Sequence, residues 1–107
     1  MPLDVHVAAS QKQAEVKRRE FFIDEVLHEL IFTKYSSIAV GMKHILRISD
    51  YYSDASFQGA DVSAVESELR SLASSVSEQS LREMLTEFAN VCNRAAARRE
   101  NVYLFGD

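Results

Sequence analysis

Three glycines and one proline in 107 residues restrict this chain more than any motif in it. β-Sandwiches and doubly wound folds need many turns at special backbone angles, and glycine and proline supply most of them. So few turn-formers suits a handful of long helices. The length is that of one ordinary domain. At 47% apolar and 26% charged residues, the composition is that of a folded chain, not a disordered one. The core of so short a chain is small, and a partner chain would add to its stability.

The apolar spacing fills in that outline. Leu3, Val5 and Val7 alternate with Asp4 and His6, a period of two that reads as a short extended arm or strand. Ser10-x-x-Gln13 is a capping-box pattern that opens a helix. Around that helix Val16, Phe22, Ile23, Val26, Leu27 and Leu30 form one apolar face, and Phe21, His28 and Phe32 fall on the far side, bordered by Tyr35. A second stripe runs through Ile38, Met42, Ile45 and Ile48. The stretch 53–60, with Gly59, is a loop, and Asp61 is suited to cap the next helix. Val62, Val65, Leu69, Leu72 and Val76 recur at three- and four-residue steps, a narrow seam. Ser77 or Ser80 caps the last helix, whose stripe is Leu81, Met84, Leu85, Phe88, Val91, Cys92 and Ala95.

The expected fold is therefore all-α. It is a small four-helix bundle spanning 10–100, with helices near 10–34, 36–52, 61–75 and 77–99. An extended arm precedes it at 1–9 and an apolar tail follows at 101–107. The first two helices meet at a bend near Ser36 or run on as one long bent helix. Val102, Tyr103, Leu104 and Phe105 are too apolar for a free tail. They dock on the bundle, on a partner or beside the arm at 3–7.

Several function classes are disfavoured. Twelve basic against sixteen acidic residues give a net charge of −4, a poor match for phosphate backbones. The basic clusters 17–19 and 94–99 lack the layout of a helix-turn-helix, so a nucleic-acid-associated regulator is a minor alternative. No stretch has the roughly 18 apolar residues of a membrane span, and no secretory leader is expected from the opening residues. A single cysteine, Cys92, excludes an internal disulfide and fits the reducing cytoplasm. On the core stripe it reads as a small buried hydrophobe, not a nucleophile. No glycine-rich phosphate loop or nucleophile elbow is present, and no cofactor is implied.

One motif carries metal chemistry. Within Asp24–Leu30, Glu25-x-x-His28 resembles the Glu-x-x-His spacing of helical di-metal proteins, in which carboxylates bridge the ions and imidazoles complete their coordination. The chain has one such motif where that site needs two, and Glu25 and His28 point away from the main apolar face. A metal would need two copies of the chain. A charged, solvated helix face accounts for the same residues.

The surplus of aromatic side chains outside the stripes, Tyr51, Tyr52 and Phe57 among them, points elsewhere, because aromatics are enriched at the centres of protein interfaces. The expectation is a non-enzymatic protein–protein interaction module, of the type of small acidic helical adaptors and secretion chaperones, acting as a homodimer. Its surface would be made by Phe21, His28, Phe32, Tyr35, Tyr103, Leu104 and Phe105.

Overall fold

The structure, a computed structural model that describes residues 3–106, is not a helical bundle. It is an α+β fold built on a four-stranded antiparallel sheet. In chain order its elements are β1 (Leu3–Ala8), α1 (Gln11–Val16), β2 (Phe21–Ile23), α2 (Glu25–Phe32), α3 (Ser36–Ala39), a 3₁₀ turn (Ile45–Ile48), β3 (Ala55–Phe57), α4 (Ala60–Ala73), α5 (Gln79–Ala97) and β4 (Asn101–Phe105). The strand order is β2-β1-β4-β3. The expected arm and tail are thus the two central strands, paired from Asp4 opposite Phe105 to Ala8 opposite Asn101. The ends of those segments, residues 1–2 and 107, lie outside the described residues.

So few glycines and prolines suffice for this sheet for a topological reason. No two neighbouring strands are joined by a tight hairpin. β1 reaches β2 through α1, and β3 reaches β4 through α4 and α5. A sheet connected through helices needs few residues at positive φ, and among the described residues only Gly59 and Arg99 have one.

The expected helix over 10–34 is three elements. Ser10 does cap α1: its Oγ accepts from the Gln13 N–H at 3.3 Å, while Gln13 Oε1 accepts from the Ala9 N–H at 3.0 Å. After six residues the chain leaves the helix, and Phe21–Ile23 pairs with Leu3–Val5. Asp24 then caps α2, accepting from the Leu27 N–H at 3.1 Å. The face expected to be buried is broken accordingly, with Val16 85%, Val26 67% and Phe22 45% exposed. The helix expected over 36–52 is reduced to α3 and the 3₁₀ turn. Glu68 of α4 holds that turn, accepting from the backbone N–H groups of His44 and Ile45 at 3.0 and 2.9 Å.

The two stripes expected over 62–95 all face the core: Val62, Val65, Leu69, Leu72 and Val76 beside Leu81, Met84, Leu85, Phe88, Val91, Cys92 and Ala95. Their caps differ from expectation. Gly59 precedes α4, with Asp61 in its first turn, and Glu78 precedes α5. The α4–α5 hairpin covers one sheet face, against Leu3, Val5, Val7, Phe57, Val102 and Leu104. On the other face Ala8, Tyr103 and Ala14 of α1 form a small second cluster, with Phe105 at its edge. Among the described residues, no helix is long and apolar enough to cross a membrane.

Candidate binding surfaces

Two concave surfaces flank α2. The first lies where the edge strand β2 meets α5. Phe21 is half-buried, its ring 6.1 Å from that of Phe88. Phe22, next along the strand, points to the outside, with the Arg19 guanidinium 4.6 Å from its ring centroid. Leu27 of α2 and Met84 of α5 complete an apolar floor. Asp24, Glu83, Glu87 and Ser80 line the remainder of this groove of about 290 Å³. Three carboxylates therefore rim four apolar side chains.

The opposite edge of the sheet is closed by comparison. The Arg47 guanidinium donates to the Ser56 carbonyl, lies 4.6 Å from the Phe57 ring centroid and is held by Asp61 at 3.1 Å. Charged groups on edge strands discourage pairing with other chains.

The second surface holds the Glu-x-x-His motif. His28 is only 5% exposed. Its ring centroid is 4.9 Å from Phe32 and 5.0 Å from Tyr51. Its Nε2 lies 2.6 Å from the Ile48 carbonyl oxygen, so the neutral ring donates there and Nδ1 remains as an acceptor. Burial pushes the imidazole below its ordinary value, against the opposing pulls of the Ile48 carbonyl, Asp50 and Glu25. Tyr51 donates to the Ile23 carbonyl at 2.7 Å, and Tyr52 donates to Glu25 at 2.6 Å. The cleft these residues line, with Glu29, Thr33, Ser49 and Asp50, is about 340 Å³.

Glu25 and His28 thus share a cleft, but their inner atoms are engaged by Tyr52 and Ile48. Among the described residues no three His, Cys, Asp or Glu side chains are grouped to hold a metal ion. His44 is bound to carboxylates, with Nδ1 2.6 Å from Glu68 and Nε2 3.4 Å from Asp61. Burial pushes the Cys92 thiol up to about 12, which leaves it almost wholly protonated at neutral pH.

The remaining residues of the expected surface lie elsewhere. Tyr35 is buried and accepts from the Ser77 N–H at 3.0 Å while donating to Glu78. Lys34 joins the same carboxylate at 2.6 Å. Hydrogen bonds from Lys34 and Tyr35 pull Glu78 down to about 2, and the group ties the α2–α3 junction to the start of α5. Leu104 is in the main core, Tyr103 in the second cluster, and Phe105 half-buried with its ring 5.0 Å from His6. The structure brings His28 and Phe32 together and places Phe21 in the other concavity. Leu27, Glu83, Met84 and Glu87 in the groove, and Asp50 in the cleft, were not among the expected site residues. Nothing local in the sequence separates Phe22 from the buried face; its exposure follows from the strand state of Phe21–Ile23. Comparison with protein-family models, with curated proteins and with solved structures finds no match to this chain.

Proposed function

We propose that this chain is a non-enzymatic protein–protein interaction module that seats an apolar segment with flanking lysine or arginine side chains in the groove between β2, α2 and α5. The observation that carries the reading is the apolar floor of Phe21, Phe22, Leu27 and Met84 under a rim of Asp24, Glu83 and Glu87. Partly exposed aromatic side chains beside an edge strand are suited to contact. The acidic rim selects the sign of the partner and steers its approach.

The homodimer draws less support, because the residues expected to form its interface are divided between the core, the groove and the cleft. The metal reading gains none from the engaged atoms of Glu25 and His28.

A photo-cross-linking side chain placed at Phe22 in the cell of origin tests the proposal, with the same group at Val16 as control. Val16 is apolar and 85% exposed but outside the groove. Discrete protein adducts from position 22 and none from 16 are expected. Equal labelling from both positions, or none from 22, would contradict it.

A further inference from the structure

The cleft around His28 shares no lining residue with the groove, so what it binds is a separate question. We propose that it is a site for an organic cation that carries N–H donors on an alkyl stem, an ammonium or guanidinium group, held between the rings of Phe32, Tyr51 and Tyr52 and the acceptors of His28, Glu29 and Asp50.

Three observations converge on that class. The walls are aromatic and continuous: His28 touches Phe32 and Tyr51, and Tyr51 meets Tyr52 edge-on with centroids 5.5 Å apart. Such faces attract cations and accommodate alkyl chains. The polar lining is all acceptor or hydroxyl, with three carboxylates and no lysine or arginine. Hydrogen bonds from the Ser53 hydroxyl and the Tyr52 N–H hold Asp50 below its ordinary value, so its negative charge is present at neutral pH.

The third observation is His28 itself. It is 95% removed from solvent by the complement of its 5% exposure, yet it lines the cleft. Nε2 is committed to Ile48, and Nδ1 has no hydrogen-bond partner among the described residues. A neutral imidazole presenting an acceptor recognises an N–H donor and gives nothing to a quaternary ammonium. At about 340 Å³ the cleft is at the small end of ligand sites. It admits one stem and its head group, whether a free amine or a lysine or arginine side chain of a peptide.

The test is an NMR titration of the full chain near neutral pH with 1,5-diaminopentane, Nα-acetyl-lysine methylamide and Nα-acetyl-arginine methylamide, with tetramethylammonium as the cation lacking N–H. Saturable shifts confined to residues 25–33 and 49–52 are expected, with movement of the His28 Nδ1 resonance and affinity at least about tenfold weaker for tetramethylammonium. Tighter binding of the diamine assigns the site to free amines. Tighter binding of either capped amino acid assigns it to protein side chains. Glu29 is exposed and its side chain carries no hydrogen bond or ion pair among the described residues, so Glu29→Lys should leave the fold intact and weaken binding about tenfold or more. His28→Phe keeps the aromatic wall, removes the acceptor and should erase the preference over tetramethylammonium. No saturable shift by about 10 mM ligand, or equal binding by Glu29→Lys, would overturn the proposal. Because Phe22 is 45% exposed and lines the groove but not the cleft, binding of these cations by Phe22→Asp should match the wild type whichever way the groove reading falls.

Discussion

At the scale of single residues, Arg99 holds a position that glycine usually takes. It follows α5 with φ at 57°, and its N–H donates to the Ala96 carbonyl at 3.1 Å while the Glu100 N–H donates to Ala95 at 2.9 Å. That is the paired bonding of a left-handed helix end. A side chain in that conformation costs about 1–2 kcal/mol, of which glycine's greater freedom when unfolded takes back a part. Arg99→Gly should therefore stabilise the protein by about 0.5–1 kcal/mol in urea unfolding, and a loss of stability would contradict the reading. His28 makes a prediction with a sign. Its folded-state value lies below the ordinary 6.5, so the unfolded chain takes up the proton first. Its effect on stability is nil above 6.5 and becomes a loss as pH falls from 6.5 through the folded value, levelling off below that. His28→Gln should lose less stability than the wild type between about pH 7.5 and 5.5. An equal loss in both proteins would show that the ring is not held neutral. Cys92 should resist thiol reagents in the native protein and react at the ordinary rate in denaturant.

At the scale of elements, what was legible divides by the range of the interactions. The stripes of α4 and α5 repeat over fourteen and nineteen residues, enough for helical periodicity to declare itself. β2 has three residues, Phe-Phe-Ile, too few to show a period of two, and its strand state comes from pairing with β1 far earlier in the chain. Reading 10–34 as one helix merged Val16, Phe22 and Val26 into a buried face. The same tertiary pairing turned β4 from a docked tail into a central strand, although the alternation at 3–7 and the apolar run at 102–105 were both visible. The 3₁₀ turn likewise depends on a distant side chain. Glu68 accepts from two backbone N–H groups and the His44 ring, none of which the local sequence announces. Glu68→Ala leaves those partly buried donors without it and should cost about 1–3 kcal/mol. An effect within error would mean that α4 does not hold the turn.

At the scale of the whole molecule, the fold explains where contact surfaces can lie. The α4–α5 hairpin covers one sheet face and α1 covers part of the other. Arg47 closes the β3 edge. The β2 edge is left with Phe22 outward and the groove beside it. The sequence pointed to Phe21, His28 and Phe32 as surface aromatics but not to their partition, because α2 turns Leu27 into one concavity, His28 into another and Ile31 into the core. Only the sheet and α5 together make those directions distinct.

On this reading the groove receives an apolar segment flanked by positive charge. Selection from a random displayed-peptide library puts this to the test, with the wild type as bait and with removal of binders that also bind Phe22→Asp, a change at an exposed groove residue. Enriched sequences should carry one or two large apolar residues beside lysine or arginine, and their binding should fail in the Glu83→Lys, Glu87→Lys double variant. Enrichment of acidic or uncharged sequences, or of peptides that bind wild type and double variant alike, would contradict it.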